Sequence, residues 1–286
     1  MIPFDLQEPA SLAEAIALLD PDDPSVRPVA GGTALMLMMK AGLFQPTRLI
    51  SLRRLEGDLR RVHVDEHGDL HLGALVPLSK LELSPLVAEH APAVSETCRT
   101  LSNVRVRNVA TLGGHVAHGD PHMDLPPLLI ALGARARAVG PRGERWIDAA
   151  DLFVGYYQTA LERDELLAEI VIPAPSPDSS AAYVKFTALS ADDWPAVGVA
   201  AAVRRREGVI LDAVLAVSAA TEKPIRLAAA EAAIRGKSTS SGSFDEAAEA
   251  AAHEVEPLAD IRGSTAYKRE MVRVHVRRAL IKASHS

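Results

Sequence analysis

The sequence has 286 residues, of which 48% are hydrophobic and 24% are charged, and its formal net charge is −6. This length and this ordinary globular composition predict two or three subdomains, and the acidic balance argues against a nucleic-acid binder. A single cysteine, Cys98, excludes an internal disulfide framework and an iron–sulfur cluster held by the chain's own thiolates. No run approaches the ~20 apolar residues of a membrane span, and the lack of an export signal predicts a cytoplasmic location.

The first elements predict a small α/β unit that closes near residue 56. Ser11 and Glu14 form a capping box at the start of a helix that runs to about residue 19. A short strand over residues 27–29 then leads into Gly31 and Gly32, and a helix follows over residues 33–40. In this order of strand, Gly-Gly turn and helix, the helix N-terminus faces the turn, an arrangement that suits an anionic ligand.

The rest of the chain divides at a segment rich in proline and serine. Residues 57–175 begin with two short alternating strands and end with another over residues 166–172. The sequence PAPSPDSS at residues 173–180 fits neither a strand nor a helix, and it marks the clearest boundary. Three long strands and then three helices follow, which is typical of an α+β domain. The predicted domains are therefore residues 1–56, 57–175 and 176–286.

A second Gly-Gly pair lies in the stretch NVRVRNVATLGGHVAHGDPHMD over residues 103–124. It is about eighty residues from the first pair, has Thr111 just before it, and precedes a turn at residues 119–121. Asp124 is predicted to be the N-cap of the helix that begins LPPLLIAL. Adjacent glycines let a ligand come close to backbone N–H groups, so two such loops suggest a diphosphate held from two sides.

With these motifs, the chain resembles the FAD-binding medium subunits of molybdenum hydroxylases, the family of the carbon monoxide dehydrogenase medium chain and the xanthine dehydrogenase flavin domain. AGGTAL at residues 30–35 resembles the first flavin motif of that family, and VRNVATLGGHVAHGDPHMDLPP at residues 106–127 resembles the second. FVGYYQTAL, ELLAEIVIP, YVKF and DIRGSTAYKREM follow in family order. The resemblance covers essentially the whole chain.

The resemblance implies an α+β fold: a p-cresol methylhydroxylase-type FAD-binding domain of two α/β subdomains, plus a C-terminal three-stranded antiparallel sheet with a three-helix bundle. Backbone N–H groups and Thr hydroxyls of the two motifs are expected to hold the diphosphate and ribityl chain. The cofactor-binding residues that it implies are Ala30, Gly31, Gly32, Thr33, Ala34, Leu35, Thr111, Leu112, Gly113, Gly114, His115, Asp124, Leu167, Lys185 and Trp194.

Two positions depart from the family pattern. Ala34 stands where the family usually has Ser, and His115 where it usually has Ser or Asn, so weaker FAD binding than in relatives is one expectation. The alternative use of this segment is a metal site built from His115, His118 and His122 with Asp120 and Asp124. We favour loop or supporting roles, because the segment is full of turn residues and the histidines have no cysteine partner. We predict no metal ligands and no catalytic residue on this chain.

The expected function is that of an electron-transfer oxidoreductase subunit. A large molybdenum-cofactor subunit would oxidise the substrate, a small [2Fe–2S] subunit would pass electrons, and FAD here would deliver them to quinone, NAD or oxygen. The complete complex would be similar to carbon monoxide dehydrogenase, or would be a hydroxylase of N-heterocycles or aldehydes. One alternative is a self-contained FAD oxidase or dehydrogenase, although no proton-abstracting residue stands beside the motifs. Another is a non-enzymatic protein of the same fold.

Overall fold

The computed structural model describes residues 2–190 and 192–285 and begins with a small parallel sheet covered by two helices. The sheet has the strand order β1-β3-β2, and β3 pairs in parallel with both neighbours. Its elements in chain order are β1 Asp5–Gln7, α1 Leu12–Ala17, β2 Val26–Val29, α2 Thr33–Lys40 and β3 Arg48–Ser51. Ser11 caps α1 as predicted, since its Oγ accepts the Glu14 N–H at 3.1 Å. The Glu14 Oε2 accepts the Ala10 N–H at 2.7 Å instead of the Ser11 N–H of a regular capping box.

The middle of the chain forms an antiparallel sheet with the order β4-β5-β10-β6-β7 and a group of short helices. Its strands are β4 Val62–Val64, β5 Leu70–Gly73, β6 Arg135–Gly140, β7 Gly143–Asp148 and β10 Leu166–Ile172, with a separate hairpin of β8 Phe153–Gly155 and β9 Gln158–Thr159. Its helices are α3 Leu78–Leu83, α4 Pro85–His90, α5 Pro92–Thr100, α6 Val104–Arg107, α7 Leu112–Ala117, α8 Leu125–Ala131 and α9 Ala149–Leu152. Two 3-10 turns, Leu52–Arg54 and Gly57–Arg60, connect this sheet to the first.

The C-terminal part is an antiparallel sheet followed by helices. Its elements are β11 Ser179–Phe186, β12 Val197–Arg206, β13 Val209–Ser218, β14 Ile225–Arg226, α10 Ala228–Ile234, α11 Ser241–Glu254 and α12 Thr265–His285. The strand order is β11-β12-β13-β14. The sequence predicts the first three strands; the fourth, β14, has two residues, too few to produce an alternating pattern.

The C-terminal sheet is buried on both faces, which places it between two cores. Val199 and Ala201 of β12 pack with the helical bundle of α10, α11 and α12, whereas Ala200 between them packs with the core that contains α8. Burial on both faces explains why β12 reads as an almost unbroken apolar run rather than as an alternating pattern. Because α8 follows Asp124 directly, this packing brings the end of the second Gly-Gly segment against the C-terminal sheet.

The three sheets lie within residues 5–51, 62–172 and 179–226. The predicted boundaries at residues 56 and 175 fall between them, and the division into three domains stays a proposal. In the part of the chain that the structure describes, none of the helices is both long and apolar enough to cross a membrane.

Candidate functional site

The two Gly-Gly motifs lie directly against each other. A β-carbon built on Gly31 would be only 2.2 Å from the backbone oxygen of Val109, which lies within the second motif. A β-carbon on Gly114 would be 4.0 Å from the Ala30 β-carbon. Any side chain at Gly31 would therefore force the two motifs apart. The tertiary structure thus brings together the two motifs that the sequence separates by about eighty residues.

The first motif presents unused backbone donors. Gly32 is the N-cap of α2, with a left-handed φ of 69° that glycine adopts without strain. The first intrahelical bond runs from the Met36 N–H to the Gly32 oxygen at 2.9 Å. The N–H groups of Gly32, Thr33, Ala34 and Leu35 therefore have no acceptor within the helix, and none is bonded elsewhere in the described residues. All four residues are partly exposed. Such N–H groups at a helix N-terminus bind anions.

The second motif differs from this expectation, because its N–H groups are already engaged. The Leu112 and Gly113 N–H groups donate to Val76 and Ala74 oxygens at 2.9 and 2.7 Å. Thr111 caps α7, since its Oγ1 accepts the Gly114 N–H at 3.1 Å, and the His115 N–H donates to the Thr111 oxygen at 2.9 Å. The predicted loop is therefore the first turn of a short helix. Its exposed Gly114 offers a close approach to a ligand rather than a set of free donors.

Asp124 lies at the predicted N-cap position of α8, but its side chain does not cap the helix. Asp124 has helical backbone angles and makes no side-chain capping bond. A capping side chain accepts from the second or third helical residue, and those positions are Pro126 and Pro127, which have no N–H. The Leu125 N–H is instead accepted by the His115 Nε2 at 3.3 Å. This bond gives His115 a definite structural role.

The Asp124 carboxylate instead joins the second motif to the C-terminal sheet. Its Oδ1 lies 3.1 Å from Lys185 Nζ and accepts the Tyr183 hydroxyl at 3.1 Å. Asp124 is 4% exposed, and burial raises the pKa of its carboxyl, which the Lys185 ammonium opposes. Lys185 Nζ also donates to the Thr100 and Asp193 oxygens at 2.9 and 3.1 Å. All three ammonium donors thus have acceptors within the chain.

Tyr183 was not identified from the sequence, although a signal for it exists. Tyr183 and Lys185 are two residues apart on β11, so their side chains point to the same face of the sheet. If the side chain of one of them contacts Asp124, the side chain of the other lies close to Asp124 as well. Burial and the neighbouring Asp124 raise the pKa of the Tyr183 hydroxyl, which stays protonated and donates its hydrogen bond.

The remaining predicted residues flank this group. Leu167 is on β10, beside a register irregularity between Leu167 and Glu169, and is buried in the middle core. Trp194 directly follows Asp193, whose backbone oxygen accepts a hydrogen bond from Lys185. The Trp194 side chain is 44% exposed, and the Arg262 guanidinium lies 5.9 Å from its ring centre. Among residues 2–190 and 192–285, no group of three or more His, Cys, Asp or Glu side chains is arranged to hold a metal ion.

We expect the buried His115 to make the protein less stable in acid. Burial lowers the pKa of its imidazole from 6.5 to about 3, so below pH 6.5 the unfolded chain binds a proton that the folded chain does not. The free energy of unfolding should therefore fall by about 1.4 kcal/mol for each pH unit below 6.5 because of this group. In urea titrations from pH 7 to pH 4, the slope of His115→Asn should be smaller than that of the unaltered protein by this amount. Burial also lowers the pKa of His118 and of His275, and their contributions are the same in both proteins.

The control for this experiment is His253→Asn, which removes an imidazole that is 78% exposed. The slope measured in this variant is the reference with which the slope of His115→Asn is compared. Equal slopes in the unaltered protein and in His115→Asn would contradict the assignment of His115 as a buried neutral acceptor.

Comparisons with known proteins agree over the whole chain. Residues 2–175 match a family model described as the FAD binding domain in molybdopterin dehydrogenase, and residues 165–283 match the CO dehydrogenase flavoprotein C-terminal domain. The carbon monoxide dehydrogenase medium chain of Hydrogenophaga pseudoflava is 33% identical, over 98% of this chain and 97% of the relative. The nicotine 6-hydroxylase medium subunit of Paenarthrobacter nicotinovorans is 34% identical, over 96% and 95%.

Solved structures show the same similarity. A carbon monoxide dehydrogenase structure from Hydrogenophaga pseudoflava superposes with a TM-score of 0.94 at 35% identity, covering 100% of this chain and 99% of that one. Quinoline 2-oxidoreductase from Pseudomonas putida 86 superposes with a TM-score of 0.92 at 30% identity, covering 99% and 98%. The predicted fold class is confirmed by these matches.

Proposed function

The chain belongs to the family of FAD-binding medium subunits of molybdenum hydroxylases, and from that premise we propose that it passes electrons from [2Fe–2S] clusters on a partner subunit to an external acceptor. The resemblance predicted from the two motifs is confirmed by matches over residues 2–175 and 165–283. The chain is an FAD-binding oxidoreductase subunit, and its relatives include the medium chains of carbon monoxide and glyceraldehyde dehydrogenases.

The observation that carries the proposed FAD site is the set of free N–H groups at the start of α2, opposite the exposed Gly114. A diphosphate needs several donors in one place, and the Gly32–Leu35 N–H groups supply them. Hydrogen bonds to a charged acceptor contribute roughly 1.5–3 kcal/mol each, so a few of them account for much of the affinity. The residues present therefore fit the group. Neither departure removes a backbone donor of the first motif, because Ala34 keeps its N–H and His115 lies in the second motif.

The other predicted residues are proposed to complete the site. Bound FAD supplies the redox chemistry, and this chain supplies its binding, its orientation and its electrostatic surroundings. Asp124 and Lys185 place one negative and one positive group side by side where the second motif meets β11. Trp194 supplies a half-exposed aromatic surface next to them. Thr111, Leu112 and Gly113 are buried residues of the second motif, and Leu167 is buried in the same core as Leu112.

The proposed partners follow from what this chain lacks and from its relatives. Its single cysteine requires the [2Fe–2S] clusters to be on another subunit, and the molybdenum cofactor would be on a large subunit that selects the substrate. The relatives act in complexes named for carbon monoxide, nicotine, glyceraldehyde and caffeine. We propose an assembly of this kind in the cytoplasm, with quinone, NAD or oxygen as the acceptor.

Affinity purification from the native host tests the proposal. We expect an eluate with flavin absorbance, co-purifying chains of larger and smaller size, and molybdenum and iron by elemental analysis. Flavin on the lone chain would instead favour the self-contained FAD enzyme. Absence of flavin would remove the proposed cofactor site. Dye reduction by the intact complex would then allow candidate substrates to be screened.

A further inference from the structure

The turn at residues 119–122 lies between the second motif and Asp124, and two distant segments hold its backbone. The Gly119 oxygen accepts the Tyr157 N–H at 3.1 Å, and the Pro121 oxygen accepts the Ala219 N–H at 2.8 Å. Tyr157 and Ala219 both have left-handed backbone angles, with φ of 55° and 64°. Residues other than glycine rarely adopt these angles, and they do so where the surroundings impose them. The turn is therefore held by hydrogen bonds from two residues whose own backbone conformations are strained.

A network of hydrogen-bonded side chains connects this turn to the C-terminal helix α12. The Asp120 carboxylate accepts the Tyr157 hydroxyl at 3.1 Å, and its other oxygen lies 2.9 Å from His122 Nδ1. His122 Nε2 lies 3.3 Å from Asp260 Oδ2, and Lys268 Nζ is 2.9 Å from that same oxygen. We call Tyr157, Asp120, His122, Asp260 and Lys268 the hydrogen-bonded network.

Lys268 is the buried end of the hydrogen-bonded network. It is 1% exposed, and its ammonium also donates to the Ala219 oxygen at 3.0 Å. It thus holds both Asp260, the partner of His122, and Ala219, the residue whose N–H binds Pro121. Replacing a buried ion pair with apolar groups is often neutral or stabilising, so stability alone does not account for an ammonium at this depth.

We propose that Lys268, through Asp260, His122 and Ala219, is a positioning residue that fixes the turn at residues 119–122 and thereby the arrangement of the FAD site. The inference rests on the proposed FAD function and deepens it. It makes FAD affinity depend on a side chain of the C-terminal helix, more than one hundred residues beyond the second motif. Because the coupling runs through hydrogen bonds between separate elements, loosening one end should release the other.

The test compares two variants of the full-length chain. Lys268→Met removes the ammonium but keeps a side chain of similar length, whereas Val272→Ala removes methyl groups from a fully buried position one turn further along α12. The control weakens the bundle without touching Asp260 or Ala219. FAD dissociation constants would be measured by fluorescence titration, and backbone hydrogen exchange at Tyr157 would be measured in the FAD-free protein.

We expect Lys268→Met to weaken FAD binding by about tenfold relative to Val272→Ala, within the usual range for coupling between two sites. It should also accelerate exchange of the Tyr157 amide, which bonds to Gly119 but does not touch Lys268. If Lys268→Met does not fold, His122→Leu serves in its place, because it keeps the Lys268–Asp260 pair and removes both ring nitrogens that contact Asp120 and Asp260. An FAD affinity or a Tyr157 exchange rate equal to that of Val272→Ala would overturn the inference.

The unaltered chain separates this inference from the proposed function. If the unaltered chain binds no FAD, the proposed function fails, and the inference fails with it. If the unaltered chain binds FAD and Lys268→Met behaves like Val272→Ala, only the positioning role is overturned.

Discussion

Gly32→Val is expected to abolish FAD retention. Gly32 has a φ of 69°, where a residue with a β-carbon is strained by about 1–2 kcal/mol and a β-branched one by more. The chain relieves this strain by rotating φ, which turns the N–H groups of Thr33 and Ala34 away from their shared direction. Each lost bond to a charged acceptor costs about 1.5–3 kcal/mol. The ratio of flavin absorbance to protein after gel filtration measures the loss.

Gly42→Val is the matched control for this prediction. Gly42 lies at the other end of α2 and has a similar φ of 74°, and a β-carbon at this position would have no atom within 4 Å. It carries the same backbone penalty at a place remote from the second motif. Both variants should lose comparable free energy of unfolding, and only Gly32→Val should lose FAD. Equal flavin content in the two variants would rule out the first motif as the diphosphate site.

Gly114→Val approaches the same site from the opposite side and should also abolish FAD retention. Its β-carbon would be 3.0 Å from Thr111 Oγ1, which caps α7, and 4.0 Å from the Ala30 β-carbon. The valine therefore disturbs the cap and fills the gap between the motifs. Normal FAD content in both Gly32→Val and Gly114→Val would refute the proposal that the two motifs hold the cofactor together.

Lys185→Met should destabilise the folded protein by about 3–5 kcal/mol, because removing one partner of a buried ion pair leaves the other charge uncompensated. Asp124 is 4% exposed and would lose its charged partner while it keeps the Tyr183 hydroxyl. The Thr100 and Asp193 oxygens would lose their donor at the same time. Urea unfolding at pH 7 measures the change.

Two further variants make this experiment specific. Arg273→Met breaks an ion pair with Glu270 whose side chains are 36% and 50% exposed, and such surface pairs contribute about 1 kcal/mol or less. Adding Asp124→Asn to Lys185→Met removes the uncompensated charge and should recover part of the stability. A loss in Lys185→Met no greater than that in Arg273→Met, or no recovery in the double variant, would show that the Asp124–Lys185 pair is not an important buried contact.

Much of the fold follows from local patterns. The sequence correctly predicts the N-cap at Ser11, the helix after Gly32 and the long strands after residue 180, because each depends on residues that are neighbours in the chain. The helical start at Leu112 is missed, because two glycines suggest a loop when their surroundings are unknown. The absence of a capping bond from the Asp124 side chain could have been predicted from the sequence, because the second and third helical residues are Pro126 and Pro127, which have no N–H.

The sequence by itself determined the family, the fold class and the two Gly-Gly motifs, since short-range spacing and residue type carry that information. Only the tertiary structure decided that Gly31 lies against Val109, that Asp124 binds Tyr183 and Lys185, and that the N–H groups of the second motif are already used. The physical reason is that a hydrogen-bonding group takes whichever partner folding brings within about 3 Å. For Asp124 that partner comes from a strand about sixty residues further along the chain.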